Sequence, residues 1–187
     1  MSDAKQRPVR MVVAGTRGDY YQGFFRKTMN TILKELMERE NLHRDDIEIV
    51  SGMAREGADY YAVLYAEHNK FPLKECWAKW DDLKAPGARI KLDNRGNEYN
   101  ANAGFDRNTE MAKYGTHLIA FWDGRSRGTE HMISAAKAHG LTVVTIILDQ
   151  RQKNNDGSFS RGHPTAKGGE MTKSYTRSTS IPSKVMT

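Results

Sequence analysis

The residues best suited to chemistry stand in two segments separated by one strand. The first, Asp106-Arg-Asn-Thr-Glu-Met111, places an arginine on a predicted helix. The second, Asp123-Gly-Arg-Ser-Arg-Gly-Thr-Glu130, is a glycine-rich turn that leads into another helix, and the apolar run His117–Trp122 lies between the two. Backbone N–H groups at a helix N-terminus bind anions beyond the carboxyl end of a parallel strand, and a nearby arginine adds positive charge. This layout predicts a site for a phosphate-bearing small molecule.

The glycine-rich turn is the stronger of the two segments. Its glycines allow unusual backbone dihedrals, and its serine and threonine offer hydroxyl groups. The residues of this turn that we expect to bind phosphate are Gly124, Arg125, Ser126, Gly128 and Thr129. In the first segment, Arg107 can hold a phosphate through two N–H bonds, with Asn108 beside it. A surface ion pair is the alternative role for Arg107.

Two further glycine-marked turns follow the first two predicted strands. Gly15 would let the backbone approach a phosphate that Arg17 contacts, although an ordinary strand-to-helix turn fits equally well and the G-x-G-x-x-G fingerprint is absent. Asp59 begins the second helix, where it either favours the helix dipole or accepts a ribose hydroxyl. The ligand-binding residues predicted in these turns are Gly15, Thr16, Arg17, Gly52, Ala54, Gly57 and Asp59.

Strands and helices alternate about five times in the first 148 residues. This alternation predicts an α/β, Rossmann-like fold: a mostly parallel sheet of about five strands with helices on both faces. The three glycine-marked turns should then converge on one crevice. Residues 81–103 interrupt the pattern and predict a long irregular loop, with Trp80 at its start either stacking on a base or packing. The last strand, residues 141–148, is the most apolar and is expected at the centre of the sheet.

Charge is distributed unevenly along the 187 residues. The net charge is +6, but residues 151–187 carry seven basic and two acidic side chains, which leaves only +1 on residues 1–150. We therefore expect a nearly neutral nucleotide-binding domain over 1–150 and a basic Ser/Thr/Gly-rich tail over 151–187. The composition of the tail predicts that it is flexible. A nucleic-acid footprint is normally denser than this tail.

Several other classes of protein are disfavoured by composition. The sequence contains no run of about 18 apolar residues, so no membrane span is expected. The first residues lack the apolar core of a signal peptide. Cys76 is the only cysteine, and the six histidines show no metal-ligand spacing, so no metal site is expected. These features favour a cytoplasmic protein.

Four segments, taken in order, resemble the SLOG superfamily of Rossmann-like proteins and specifically its YspA-like branch, found in bacteria and phages. They are Ala14-Gly-Thr-Arg17, Ser51-Gly-Met-Ala-Arg-Glu-Gly-Ala-Asp59, Ala103-Gly-Phe-Asp-Arg-Asn-Thr-Glu-Met111 and Phe121-Trp-Asp-Gly-Arg-Ser-Arg-Gly-Thr129. The resemblance spans residues 9–148. It implies a nucleotide-like ligand in the crevice, no certain cofactor, and association into homo-oligomers. The superfamily also includes DNA-processing protein A and the LOG phosphoribohydrolases.

The resemblance to LOG enzymes is incomplete at the residues that catalyse the LOG reaction. By similarity, Arg107 matches the LOG catalytic arginine and Gly128-Thr129 match the Gly-Thr of the loop, but Met132 stands where the catalytic glutamate belongs. A thioether cannot act as an acid or base. Arg107, Asp123 and Glu130 are the remaining catalytic candidates.

The sequence therefore favours a protein that holds a nucleotide or ADP-ribose-like molecule, as a sensor or by sequestering it. The alternative is a hydrolase that cleaves a glycosidic or phosphate bond of a nucleotide. A weaker alternative is single-stranded nucleic-acid binding, to which the tail would contribute.

Overall fold

The computed structural model describes residues 8–18 and 22–148. Its main element is a parallel sheet of five strands: β1 (Val9–Gly15), β2 (Ile47–Ser51), β3 (Leu73–Glu75), β6 (His117–Trp122) and β7 (Thr142–Ile147). Their order in the sheet is β3-β2-β1-β6-β7. The helices are α1 (Gln22–Glu40), α2 (Ala58–Asn69), α3 (Ala103–Tyr114) and α4 (Arg127–Ala138), with a short 3-10 turn at Arg44–Asp46. The α/β, Rossmann-like prediction is confirmed.

Alternate side chains of β1 supply two separate cores, one on each face of the sheet. Met11 and Val13 pack with α1 and α2, whereas Val12 and Ala14 pack with α3 and α4. Because successive side chains of a strand point to opposite faces, a strand buried on both sides is apolar throughout. This explains why Met11–Ala14 form a continuous apolar run within β1 rather than an alternating pattern.

The strand order reverses at β1. The chain continues from β1 through β2 to β3 on one side, and later crosses to β6 and β7 on the other. Loops that leave neighbouring strands in opposite directions open a crevice at such a switch point, outside the carboxyl ends of the strands. The turns that follow β1 and β6 are therefore the ones that border it.

Two expectations about the elements are wrong. Residues 81–103 contain an antiparallel hairpin formed by β4 (Ile90–Leu92) and β5 (Glu98–Asn100), because Asp93 and Gly96 close a tight turn between two three-residue strands. The last strand, β7, pairs with β6 alone among the described residues and lies at an edge of the sheet. Its apolar composition reflects packing against α4, not a central position.

Within these residues, no helix is both long and apolar enough to cross a membrane. The predicted tail, residues 151–187, lies outside the described part of the chain.

Candidate functional site

A cavity of about 390 Å³ opens at the switch point of the sheet. The end of β1, the start of α2, the face of α3 and the first turn of α4 surround it. The polar or charged residues and glycines that line it are Gly15, Thr16, Arg17, Asp59, Gly104, Arg107, Asn108, Ser126, Gly128 and Thr129. Its remaining lining residues are Ala14, Trp80, Ala101, Phe105 and Met132.

The turn after β1 is fixed to the turn after β6 by its backbone. The Thr16 N–H donates to the Phe121 carbonyl at 2.8 Å, and the Asp123 N–H donates to the Thr16 hydroxyl oxygen at 3.2 Å. A Cβ atom on Gly15 would come within 2.5 Å of the Phe121 carbonyl oxygen. Glycine is therefore required at position 15 for the two turns to approach each other.

The glycines of the turn after β2 allow it to pack closely against the turn after β1 and against α3. Gly57 has a φ of +74°, and a Cβ there would lie 2.4 Å from the Thr16 carbonyl oxygen. A Cβ on Gly52 would instead meet the Arg107 guanidinium at 2.6 Å. These two glycines line no part of the cavity wall; they let the neighbouring backbone and Arg107 come close enough to form it.

Helix α3 contributes an arginine and an asparagine that connect three segments. The Arg107 Nη1 group donates to the Gly52 carbonyl, and its Nη2 group donates to the Asn108 side-chain oxygen at 3.1 Å. The Asn108 amide donates in turn to the Gly128 carbonyl at 3.0 Å. This chain of hydrogen bonds holds α3 against both the β2 turn and the start of α4, and it fixes the Arg107 guanidinium at the cavity.

The loop before α4 uses several of its own donors internally. The Asp123 carboxylate accepts from the N–H groups of Arg125 and Ser126, at 3.0 and 2.8 Å. Ser126 caps α4 by accepting from the Thr129 N–H and from the Thr129 hydroxyl. The N–H groups of Arg127 and Gly128, in the first helical turn, have no acceptor within the helix and point out of its N-terminus. The N-terminus of α4 thus has fewer backbone N–H groups left for an anion than the glycine pattern alone suggests.

Burial controls the electrostatics of the cavity. The pKa of the Asp59 carboxyl is raised to about 6 by burial, against the opposing effects of Arg107, a backbone hydrogen bond from Gly52, and Arg17. Burial also lowers the pKa of Arg107, although the nearby Asp59 carboxylate raises it. The site therefore combines one buried acid with two cations, which suits a ligand that carries both anionic and hydrogen-bond-donating groups.

Nine of the predicted ligand-binding residues line this cavity: Gly15, Thr16, Arg17, Asp59, Arg107, Asn108, Ser126, Gly128 and Thr129. Five do not, namely Gly52, Ala54, Gly57, Gly124 and Arg125. Of the catalytic candidates, Arg107 lines the cavity, whereas Asp123 braces the neighbouring loop and Glu130 is an exposed residue of the first turn of α4. Met132 is fully buried and forms part of the cavity floor.

The segment from Asn100 to Phe105 was not predicted to contribute. Asn100 is 1% exposed, and its N–H donates to the Trp80 carbonyl at 2.8 Å, which fixes Trp80 beside Gly104. The side chain of Trp80 thereby becomes one wall of the cavity. The small residues at positions 101, 103 and 104, at the start of α3, are the sequence signal that could have indicated close approach there.

Among the described residues, no group of three or more His, Cys, Asp and Glu side chains could hold a metal ion.

Comparison with known proteins identifies the fold. DNA processing protein A (DprA) from Streptococcus pneumoniae superposes with a TM-score of 0.54 at 20% sequence identity. The match covers 80% of this chain and 54% of the other, so the chain spans about half the length of that structure. The sheet is thus of the Rossmann type found in DprA. No protein-family model and no curated protein matches the sequence.

Proposed function

We propose that this protein belongs to the YspA-like branch of the SLOG superfamily and binds a nucleotide or nucleotide-derived ligand, as a sensor or by sequestering it. The observation that carries the proposal is the cavity itself. Each of the four segments that resemble the superfamily contributes residues to its wall. We further propose that binding takes place in the cytoplasm and that the protein acts as a homo-oligomer, as relatives in the superfamily commonly do.

The chemistry of the lining supports a phosphorylated ligand with an aromatic part. Arg107 and Arg17 supply positive charge, and the α4 N-terminus adds backbone donors. Trp80 is 41% exposed and lines the cavity, so its indole ring offers a face on which a base can stack. A volume of about 390 Å³ lies within the range typical of small-molecule sites.

Titration calorimetry with AMP, ADP-ribose, NAD and cyclic nucleotides tests the proposal. We expect at least one ligand to bind, and we expect Arg107→Gln to weaken it by about 10-fold or more, since a charge-assisted bond to phosphate is lost. Arg125→Gln is the matched control: it removes the same charge from an exposed residue that does not line the cavity. Folded wild-type protein that binds none of these ligands would refute the proposal.

Hydrolysis of the bound nucleotide is the alternative. Arg107 lies at the cavity, but the buried Met132 thioether occupies the position where LOG enzymes carry a carboxylate. Chromatography of the same mixtures after incubation separates the two functions. Turnover abolished by Arg107→Gln or Glu130→Ala would favour the hydrolase, and intact nucleotides would favour binding alone.

Single-stranded nucleic-acid binding is a second alternative, favoured by the basic residues of the tail at positions 151–187. The structural match to a DNA processing protein is compatible with this function but is too distant to supply it.

A further inference from the structure

Two buried polar atoms without partners in the described part of the chain belong to side chains that line the cavity. Asp59 is 5% exposed, and its Oδ1 atom has no hydrogen-bond partner in the described part of the chain. The Nε atom of Arg107 is also buried and without a partner within those residues. Nearly all buried polar groups in proteins are hydrogen-bonded, so each exception calls for an explanation. Since both side chains line one cavity, a ligand that supplies the two missing partners is the simplest one.

The two atoms require opposite partners. An ionised carboxylate oxygen only accepts hydrogen bonds, whereas the guanidinium Nε–H only donates. Inorganic phosphate keeps one or two P–OH donors at neutral pH, but its negative charge is repelled by the Asp59 carboxylate. A sugar hydroxyl close to a phosphate satisfies both atoms, because the hydroxyl donates to Asp59 while the phosphate accepts from Arg107.

The surroundings of Asp59 keep its carboxylate in place. The Ser51 hydroxyl donates to the Asp59 backbone carbonyl at 2.9 Å and accepts from the Met53 N–H at 3.1 Å, which fixes the start of α2 over the end of β2. Arg107 and Arg17 both favour the ionised form of the carboxyl. The acceptor is thus positioned before a ligand arrives, and a preorganised acceptor discriminates strongly against ligands that lack the donor.

We propose that Asp59 and Arg107 form a two-point subsite that selects sugar phosphates with a free ribose hydroxyl over phosphates that lack it. This inference rests on the proposed nucleotide binding and adds the class of sugar to it. Ribonucleotides are then preferred to the corresponding deoxyribonucleotides, and deoxyribose strands are poor ligands for the cavity.

Calorimetry at pH 7.5 with AMP, 2′-deoxy-AMP, 3′-deoxy-AMP and inorganic phosphate tests the subsite on the full chain. We expect the wild-type protein to bind AMP about 10- to 100-fold more tightly than at least one deoxy analogue, and more tightly than phosphate. Asp59→Asn should bind AMP and that analogue within about threefold of each other, since its amide no longer requires the hydroxyl. Asp106→Asn, an exposed acid on α3 outside this cavity, is the matched control and should keep the wild-type preference.

The possible results distinguish failure of the ribose subsite from failure of nucleotide binding itself. Equal binding of AMP and both deoxy analogues by the wild-type protein overturns the subsite but leaves nucleotide binding intact, and this readout needs no variant to fold. Full discrimination retained by folded Asp59→Asn overturns the role of Asp59. Absence of binding for all four probes, with wild-type protein shown to be folded by circular dichroism, overturns the inference together with AMP binding.

Discussion

The Asp59 carboxyl lies in a place that is unfavourable for its charge. Burial raises its pKa from 3.8 to about 6, so the folded protein holds this proton more tightly than the unfolded chain does. Between about pH 4 and pH 6 the folded state therefore binds more protons, and this group makes the protein less stable as the pH rises through that interval. Above about pH 6 its destabilising contribution is fully present.

Asp59→Asn should accordingly stabilise the protein at pH 7, by an amount on the order of 3 kcal/mol. The same substitution should leave the free energy of unfolding nearly unchanged at about pH 3, where the carboxyl is mostly protonated in both states. Urea unfolding at the two pH values measures the difference. A gain in stability that is independent of pH would contradict the assignment of a buried charge.

Asp93→Asn should change the free energy of unfolding in the opposite direction in the same urea assay. The Asp93 carboxylate accepts hydrogen bonds from the Asn97 and Arg95 backbone in the hairpin turn, which lowers its pKa. Its contribution to stability is present at neutral pH and is lost as the pH falls through its lowered pKa. The substitution is therefore expected to destabilise the turn at pH 7.

Among the elements, the turns that follow β1 and β2 depend on a contact that only glycine allows. Gly57 has a φ of +74° and packs against the Thr16 backbone, whereas Gly124 has a φ of +75° and open space around its Cα atom. Alanine at either position must adopt a positive φ, but only at position 57 does its methyl group also meet backbone. The two substitutions thus compare a positive φ in open space with a positive φ in close contact.

We expect Gly124→Ala to cost about 1 kcal/mol and Gly57→Ala at least about 2 kcal/mol more, since backbone strain and overpacking add at the second position. Thermal or urea unfolding of the two variants gives the comparison. Equal losses of stability would show that the turn after β2 can move away from Thr16 without cost.

The sequence predicted the large elements of this fold because their patterns are strong. Helix α2 begins where it was predicted, with Asp59 in its first turn, and β6 has the predicted bounds, His117–Trp122. The β4–β5 hairpin was missed because its strands are three residues long and largely exposed, so they carry no periodic apolar signal. The edge position of β7 could not be read from composition, because strand order depends on which neighbours pair.

The candidate site was predictable where glycine turns follow strands and was missed where the chain folds back on itself. Gly15, Arg17 and Arg107 could be assigned to one crevice because parallel strands end on the same side of a sheet. The contribution of Trp80 depends on a hydrogen bond to Asn100, twenty residues further along the chain. Such a contact is fixed by tertiary structure and leaves no local pattern.

On the scale of the whole molecule, residues 9–148 contain both core clusters and all the cavity-lining residues that the structure describes. The basic excess of the chain lies instead in residues 151–187. Removal of residues 151–187 should therefore leave the unfolding midpoint within about 2 °C of that of the full chain, since a stabilising contact of 1 kcal/mol would shift it by roughly 2–8 °C. It should also leave nucleotide affinity unchanged.

The same deletion examines the nucleic-acid alternative. If the full chain binds a single-stranded oligonucleotide through the tail, the deletion should reduce both the affinity and its dependence on salt, because fewer phosphates are neutralised. Affinity and salt dependence that are the same in both proteins would exclude the tail from binding.

The position of Trp80 gives the protein an optical signal of its own. Trp77 is 61% exposed and does not line the cavity, and Trp122 donates its indole N–H to the Ser126 carbonyl at the edge of the loop before α4. With Trp77 and Trp122 replaced by phenylalanine, Trp80 would be the sole indole emitter of the chain. A base that stacks on it quenches its fluorescence, so occupancy of the cavity can be followed in real time without a labelled ligand.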